Sequence, residues 1–189
     1  EYNMPKYTTK EAYSPLYSLK YPKPGTENPT IDFYMLDLRT GTIFLINIAK
    51  HIREELPNFS KDLILYDVQW IDPETCIFKV TDRASKSMLV LVYKRDPESL
   101  TIVRTLDSEL YGGWIEKARK ILPIPPKDEV GRNEYGYVDV QTDINGYNHL
   151  FYFETVTSQK GKQLTYGEWE ITGTGIVGYE YESDTVFFT

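Results

Sequence analysis

Three glycines near the C-terminal end of the chain match a nucleotide-binding pattern. Gly173, Gly175 and Gly178 have the G-x-G-x-x-G spacing of a loop that binds a pyrophosphate. Such a loop follows a strand and begins a helix, whose N-terminal amides hold the phosphate. The next residues, 179–188, are rich in aromatic and β-branched side chains, which predicts a strand instead. We therefore interpret the glycines as a tight crossing between two sheets.

Residues that could bind a metal ion are few. His51 and His149 are the only histidines and Cys76 is the only cysteine, and none has a partner at the spacing of a zinc site. Residues 143–146 resemble part of a calcium loop, but the surrounding positions lack the carboxylates that such a loop requires. We therefore expect no metal site and no cofactor, a hairpin turn at residues 143–146, and Cys76 in the core.

A hydrolytic site would need a nucleophile, a base and a third residue that orients the base. His149 with Ser108 or Ser158 is the combination that the chain offers, but no G-x-S-x-G turn is present to expose a serine. We therefore expect no catalytic residue in this segment.

Two pairs of acidic residues could also act as acid and base. Glu54 and Glu55 fall on a predicted helix, where a solvated surface is the ordinary interpretation. Glu168 and Glu170 flank Trp169 in a predicted strand and would then share one face of it. We interpret this second pair as salt-bridging groups between neighbouring sheets.

A small basic cluster follows Trp114 and consists of Lys117, Arg119 and Lys120. Such a cluster is usually solvated surface. It could also hold a peptide carboxylate or a backbone carbonyl, because the planar fork of an arginine is well suited to both.

Composition favours an all-β protein that does not bind nucleic acid. Aromatic residues make up 14% of the 189 residues, with 16 tyrosines against 3 methionines, and wide rings pack well between strands. The formal charge of −7 argues against a phosphate-binding surface. The longest apolar runs are far shorter than the roughly 20 residues that cross a membrane. The chain begins without Met and without an apolar leader, so we expect an excerpt whose targeting signal lies elsewhere.

Periodicity and turn residues divide the chain into short elements. Residues 1–29 contain several prolines and predict an extended edge segment, and a hairpin follows at residues 31–48. Ile48, Ile52 and Leu56 recur every four residues, which predicts a short helix ended by Pro57. Further strands are predicted at residues 63–70, 76–81, 87–94, 99–106 and 135–141, and in a strand-and-turn unit at residues 146–188.

The connections between these strands are too short for helices, so neighbouring strands should pair antiparallel. A proline-rich loop is predicted around Pro123, Pro125 and Pro126. Tryptophans recur at intervals of 44 and 55 residues, near the ~40–45 residues of a propeller blade. A β-sandwich with long loops could produce the same spacing.

Five local motifs, in this order, resemble the dipeptidyl peptidase IV family, and its fungal dipeptidyl aminopeptidases most closely. They are YPKPGTENPT at 21–30, DVQW at 67–70, GWIE at 113–116, DINGYNHL at 143–150 and LTYGEWEIT at 164–172. The resemblance implies that residues 1–189 are a fragment of an eight-bladed β-propeller, with about three to four antiparallel four-stranded blades. It also implies an α/β-hydrolase domain outside this segment.

The family resemblance implies a serine exopeptidase that removes X-Pro or X-Ala dipeptides from free N-termini, with a propeller that gates access and helps to hold the substrate. Its catalytic triad and the paired glutamates that bind the substrate amine match no residue here, and the glutamates are expected shortly before Glu1. The segment alone is therefore expected to be inactive. One binding residue matches: Arg119 stands where mammalian relatives have the arginine of a Phe-Arg pair, whereas Ala118 replaces the phenylalanine.

For the whole protein, the resemblance implies a single-pass type II membrane glycoprotein in the lumen of the secretory pathway, at the Golgi or vacuolar membrane. Asn58 lies in the one acceptable N-glycosylation tripeptide, because Pro29 disqualifies the other. The implied partners are peptide substrates with penultimate Pro or Ala, the protein's own hydrolase domain and a second copy in a homodimer. Two alternatives stay open: a catalytically inactive relative that acts as a binding scaffold, and an unrelated propeller or β-sandwich used as an interaction module.

Overall fold

A computed structural model describes residues 1–7, 10–110, 112–116, 120–172 and 175–189. The chain divides into two units, residues 1–31 and residues 32–189. In the first unit, β1 (Tyr2–Pro5) and β2 (Leu16–Leu19) form an antiparallel hairpin. Residues 1–29 were predicted as an extended edge segment, and within them these two strands pair with each other. Because β1 ends at Pro5 and β2 begins after Pro15, no proline interrupts the interior of either strand or the hydrogen bonds between them.

The second unit begins with a hairpin and a helix. β3 (Phe33–Leu36) pairs with β4 (Ile43–Ile46), and α1 (Ile48–Glu55) follows. The side chain of Asn47 caps the helix by accepting a hydrogen bond from the backbone amide of Lys50 at 3.0 Å. Ile48 and Ile52 are buried, so the spacing of four residues correctly predicted the helix and its buried face.

In the first four-stranded sheet, which we call sheet 1, neighbouring strands in the sheet are also consecutive in the sequence. It consists of β5 (Leu63–Asp72), β6 (Thr75–Asp82), β7 (Ser87–Lys94) and β8 (Ser99–Asp107). All pairs are antiparallel, as predicted. The apolar run in β7 is continuous because both faces of the sheet are covered: Leu89 and Leu91 pack with the residues of α1, whereas Val90 and Val92 pack towards the next sheet.

A second four-stranded sheet, sheet 2, has the order β12-β11-β10-β9. Its strands are β9 (Leu122–Ile124), β10 (Gly136–Thr142), β11 (Asn148–Phe153) and β12 (Lys162–Gln163). The prediction of a proline-rich loop was wrong for β9, in which Pro123 pairs with Tyr137. Proline is tolerated there because β9 lies at the edge of the sheet, where one side of a strand needs no donor.

The last part of the chain differs from its prediction in two places. Residues 179–188 are not one strand, because β13 (Ile176–Glu180) and β14 (Thr185–Phe188) form a hairpin. The carboxylate of Glu180 closes the turn by accepting a hydrogen bond from the amide of Ser183 at 2.6 Å. Residues 164–172 are irregular, so Glu168 and Glu170 do not share a strand face. Glu170 instead accepts a hydrogen bond from the side chain of Asn148 at 2.6 Å.

The described part of the glycine pattern lies at the start of β13. Gly173 lies outside the described residues, and Gly175 has a φ of 77° just before β13. The element that follows Gly175 is a strand, as predicted, and not the helix whose N-terminus a nucleotide loop requires.

Candidate functional site

The described residues between sheet 1 and sheet 2, namely 108–110, 112–116, 120 and 121, form the candidate site, and we call them the crossing loop. It begins with a 3-10 turn at Ser108–Leu110 and carries Trp114, whose surface is 74% exposed. Of the predicted basic cluster, Lys120 is exposed, whereas Lys117 and Arg119 lie outside the described residues.

The first half of the crossing loop is fixed to the turn that joins β6 and β7. The amide of Ile115 donates a hydrogen bond to the carbonyl of Ser85 at 2.7 Å, and the amide of Ser108 donates to the carbonyl of Lys86 at 2.8 Å. The turn itself is held by the carboxylate of Asp82, which accepts the amide of Lys86 at 2.8 Å. Trp114 is therefore placed next to an ordered backbone.

The second half of the crossing loop is fixed by a side chain of β5. Oδ2 of Asp67 accepts the amide of Ile121 at 2.6 Å, and Oδ1 of the same carboxylate accepts Nε2 of Gln69 at 3.0 Å. Asp67 has a φ of 51° and lies where the pairing of β5 with β6 shifts register, between Tyr66 and Val68. A bulge of this kind re-aims a side chain, and here it brings a carboxylate to the start of sheet 2.

Asp67 is one of four buried charged residues, which we call the charge cluster. The others are Lys79 on β6, Arg104 on β8 and Asp139 on β10, and the four side chains are at most 4% exposed. Nζ of Lys79 lies 2.6 Å from Oδ1 of Asp139 and 3.8 Å from Oδ2 of Asp67. Nη2 of Arg104 lies 2.8 Å from Oδ2 of Asp139. Two positive and two negative charges therefore balance one another between the sheets.

Asp139 is ionised within this cluster. Burial by itself raises the pKa of its carboxyl, but the charges of Lys79 and Arg104 outweigh that effect and hold the pKa below its ordinary value. The amide of Val140 also donates to Oδ1 at 2.9 Å. Because the Asp139 carboxylate is occupied by two cations and an amide, it is suited to join the two sheets and not to act as a base.

Aromatic rings cover the remaining side of Arg104. The guanidinium carbon lies 4.1 Å from the centroid of the Phe153 ring and 5.6 Å from that of Tyr137. These two rings stack on each other with centroids 4.6 Å apart. A guanidinium packs well against ring faces, so the arginine contributes both a charge and apolar contact to the interface between the sheets.

Sequence reasoning missed the charge cluster, although a signal was present. Lys79 stands between Phe78 and Val80, and Asp139 stands between Val138 and Val140, so each is a lone charge in an apolar strand. A buried charge needs a partner of opposite sign. Each strand therefore indicated a buried ion pair, although not which residues would form it.

A cavity of about 300 Å³ opens beside the crossing loop, between the two four-stranded sheets. Its apolar wall includes Met88, Leu106, Trp114 and Val140, and its polar rim includes Ser108, Gln141 and Asn148. The volume is at the lower end of the range for ligand sites and could accept one or two side chains of a peptide.

His149 is a structural residue. It lies on β11 with no exposed surface. Its Nε2 lies 3.1 Å from the carbonyl of Gly167, which can only accept, so Nε2 carries the proton. Nδ1 then accepts from the hydroxyl of Thr165 at 3.1 Å. The hydroxyl of Ser158 is bound to Thr155, so the structure does not bring it to the imidazole.

The other predicted residues take ordinary structural roles. Oδ1 of Asp143 accepts the amides of Asn145 and Tyr147 at 2.9 and 3.0 Å, which confirms a hairpin turn. Cys76 is buried, and burial raises the pKa of its thiol to about 12. Glu54 and Glu55 are exposed on α1, as predicted. Within the described ranges, no group of three or more His, Cys, Asp or Glu side chains could hold a metal ion.

No helix among the described residues is long and apolar enough to cross a membrane. Asn58 is exposed in a turn after α1. Its tripeptide therefore lies on the surface, where the modification machinery would need it.

Comparison with known proteins gives consistent matches. The whole chain, residues 1–189, matches the family described as the dipeptidyl peptidase IV (DPP IV) N-terminal region. It is 47% identical over 185 residues to dipeptidyl aminopeptidase A of Saccharomyces cerevisiae, which covers 97% of this chain and 19% of that protein. It is 32% identical to dipeptidyl aminopeptidase B of the same yeast, over 100% of this chain and 22% of that protein. The chain thus spans about a fifth of the length of these relatives.

A solved structure has the same fold. The crystal structure of Porphyromonas gingivalis dipeptidyl peptidase 4 matches with a TM-score of 0.69 over 99% of this chain and 23% of that chain, at 16% sequence identity. Together with two antiparallel four-stranded sheets whose strands follow in chain order, this likeness confirms an all-β fold that is part of a β-propeller.

Proposed function

The chain belongs to the dipeptidyl peptidase IV family, and from this premise we propose that it is the propeller portion of a serine dipeptidyl aminopeptidase. The whole protein releases N-terminal X-Pro or X-Ala dipeptides, and a hydrolase domain outside these 189 residues supplies the catalytic triad. The propeller gates access to that domain and helps to hold the substrate. The observation that carries the proposal is the match over the full chain, with 47% identity to a dipeptidyl aminopeptidase.

Within the propeller, we propose that Arg119 binds a backbone carbonyl or carboxylate of the substrate. The residue matches the family's substrate-binding arginine in sequence. It follows residues 112–116 in the chain, and Trp114 and Glu116 of these line the cavity between the two four-stranded sheets, which supports a role in binding for this part of the chain.

The test is hydrolysis of X-Pro-anilide substrates by the full-length protein. We expect the full-length protein to be active and residues 1–189 alone to be inactive. Arg119→Ala should lower kcat/KM by roughly 10- to 100-fold, the usual effect of losing a charge-assisted hydrogen bond. Lys120→Ala is the matched control, because it removes an exposed positive charge next to Arg119, and it should stay within about twofold.

An inert full-length protein would contradict the enzyme proposal. If such a protein still bound X-Pro peptides, the scaffold hypothesis would be favoured in its place. Equal losses in Arg119→Ala and Lys120→Ala would contradict a specific role for Arg119 and indicate general electrostatic attraction of the substrate.

We further propose that the whole protein resides in the secretory pathway, at the Golgi or vacuolar membrane, with this segment in the lumen, and that it can pair as a homodimer. Asn58 should then carry an N-linked glycan. An endoglycosidase that removes N-linked glycans should increase the electrophoretic mobility of both the wild-type protein and Asn58→Gln. The shift of the wild type should be larger by the mass of one glycan. Asn28→Gln is the control, because the proline at position 29 prevents modification there. An identical shift in wild type and Asn58→Gln would contradict the lumenal placement of this site.

A further inference from the structure

A second cavity lies between β8, the last strand of sheet 1, and the part of sheet 2 around Gln141. We call it the β8 cavity, and its volume is about 500 Å³. This volume lies within the range of ligand sites, ~300–1,000 Å³. The apolar part of its lining consists of Ile102, Val103, Leu106 and Leu110. These side chains offer a surface on which the hydrocarbon part of a ligand can pack.

The charged side chains that line the β8 cavity are both positive. They belong to Arg104 of β8 and to Lys160, which precedes β12. The other polar lining residues, Thr105, Gln141 and Gln159, each carry a hydrogen-bond donor. None of the described lining residues is Asp or Glu, although the whole chain has a net charge of −7. A cavity with this lining attracts an anionic group.

Arg104 has donor groups that no protein group uses. Its Nη2 binds Oδ2 of Asp139 at 2.8 Å, whereas its Nε and Nη1 are buried without a hydrogen-bond partner among the described residues. Asp139 and Gln141 are two residues apart on β10, so they share one face of the strand. Because a buried donor without an acceptor is destabilising, a ligand oxygen that reached this guanidinium would gain more than one at a solvated arginine.

The charges of the β8 cavity fit a carboxylate better than a phosphate dianion. Arg104 already shares its charge with Asp139, so Lys160 supplies most of the positive charge that is left for a ligand. A carboxylate carries one negative charge and accepts hydrogen bonds from guanidinium, ammonium and amide groups. Because aliphatic side chains form the rest of the lining, the carboxylate should be attached to an apolar group.

We propose that the β8 cavity binds a carboxylate of a peptide that carries an apolar side chain beside it. Lys160 and Gln141 bind the carboxylate at the mouth of the cavity, and Arg104 donates to it from a nitrogen that Asp139 does not use. The free nitrogens of Arg104 are covered in this structure, so binding includes a small rotation of its guanidinium, as is common when side chains meet a ligand. This site is separate from the proposed substrate site and does not depend on the proposed function.

Isothermal titration calorimetry of the full-length protein with three N-acetylated peptides tests the proposal. They are N-acetyl-Ala-Ala-Leu with a free C-terminus, the same peptide as its C-terminal amide, and N-acetyl-Ala-Asp-Leu amide. The acetyl group blocks the free N-terminus that the proposed peptidase activity requires. We expect the free acid to bind about tenfold more tightly than its amide, the effect of charge-assisted hydrogen bonds.

The third peptide identifies the source of the carboxylate. If it binds as tightly as the free acid, an acidic side chain is sufficient, and if it binds like the amide, the site recognises a C-terminus. Both results support the site. Equal dissociation constants for the free acid and for both amides would overturn it.

Substitutions in the lining locate the bound peptide. For the free-acid peptide, Gln141→Leu should raise Kd about fivefold and Lys160→Ala about threefold. Lys162→Ala is the matched control, because Lys162 is also exposed and is not part of the lining, and its Kd should stay within about 1.5-fold. An unchanged Kd in both Gln141→Leu and Lys160→Ala, or equal losses in Lys160→Ala and Lys162→Ala, would contradict a specific site.

Arg104→Lys tests the deepest contact. It keeps the positive charge beside Asp139 but removes the free guanidinium N–H groups, so Kd for the free-acid peptide should rise about tenfold. Urea denaturation shows whether this variant is folded. If it does not fold, Gln141→Leu and Lys160→Ala decide the question, because both residues are at least partly exposed.

Arg119→Ala separates this site from the proposed substrate site, since Arg119 is also proposed to bind a carbonyl or carboxylate. The tighter binding of the free acid should persist in Arg119→Ala and disappear stepwise in Gln141→Leu and Lys160→Ala. If it is lost in Arg119→Ala and kept in the other two variants, the peptide occupies the substrate site and the proposal for the β8 cavity is overturned.

Discussion

Replacement of Asp139 by alanine should lower the free energy of unfolding by about 3–5 kcal/mol, the usual effect of removing one member of a buried ion pair. Asp139 has no exposed surface and binds Lys79 and Arg104 at 2.6 and 2.8 Å. Without it, two buried cations would remain beside a single carboxylate. Urea denaturation of the purified protein, monitored by tryptophan fluorescence, measures the loss.

Glu54→Ala is the control for this prediction. Glu54 forms an exposed pair with Lys50 on α1, at 3.8 Å, and such pairs contribute about 0–1 kcal/mol. A similar loss in Asp139→Ala and Glu54→Ala would mean that water reaches the charge cluster and that the cluster does not hold the two sheets together.

The same residue should contribute to acid sensitivity. Burial by itself raises the pKa of Asp139. The charges of Lys79 and Arg104 lower it by a larger amount, so the pKa in the folded protein lies below the ordinary value of 3.8. A carboxyl with a lowered native pKa stabilises the fold fully above its unfolded pKa, and this stability is lost as the pH falls through the native pKa. When the pH is lowered from neutral to values below 3.8, the free energy of unfolding should therefore fall less in Asp139→Asn than in the wild type. Urea denaturation at several pH values measures this difference.

The local elements of sheet 1 could be predicted from sequence because their signals are local. Alternating or continuous apolar runs separated by short turns gave all four strands to within two residues at each end. The helix followed in the same way from the spacing of Ile48 and Ile52. In each case the side chains that decide the structure lie within one element.

The charge cluster and the ends of the crossing loop depend on contacts between distant residues. Lys79 and Asp139 are 60 residues apart, and Asp67 and Ile121 are 54 residues apart. No spacing rule links such positions. The bulge that turns Asp67 towards Ile121 also has no signal in the sequence, because a left-handed aspartate in a strand is set by its tertiary partners. The motif around Trp114 thus indicated a candidate site, but the sequence did not indicate the residues that support it.

The irregular segment 164–172 was predicted as strand for a related reason. Its composition is typical of strands, and the amides of Leu164 and Ile171 bind carbonyls of β11 at 2.8 and 2.9 Å, but side-chain hydrogen bonds interrupt the ladder between these two residues. Thr165 accepts the amide of Leu150 at 3.0 Å, and Nε1 of Trp169 donates to the carbonyl of Tyr166 at 2.8 Å. Tertiary hydrogen bonds here outweigh β-propensity.

The second large effect is expected at Gly167 in this segment. Gly167→Ala should lower the free energy of unfolding by about 2–4 kcal/mol, from backbone strain and overpacking together. The residue has a φ of 127°, and a Cβ added there would lie 2.7 Å from Nε1 of Trp169. The indole cannot retreat freely, because it packs against the rings of His149 and Phe188 with centroids 5.0 and 6.1 Å away. Urea denaturation again gives the measurement.

Gly146→Ala separates the two causes. Gly146 also has a positive φ, of 89°, but an added Cβ there would meet no atom within 4 Å, so only strain of about 1 kcal/mol should remain. The difference between the two variants then measures the contact with Trp169.

A double variant tests whether the indole is the group that resists the added methyl. Trp169→Phe removes the atom that Cβ would approach most closely, so Gly167→Ala should cost less in that background than in wild type. If the cost is the same in both backgrounds, the strain of the backbone alone accounts for it. The turn would then be fixed by the hydrogen bond from His149 to the carbonyl of Gly167, at 3.1 Å, and not by the packing of Trp169.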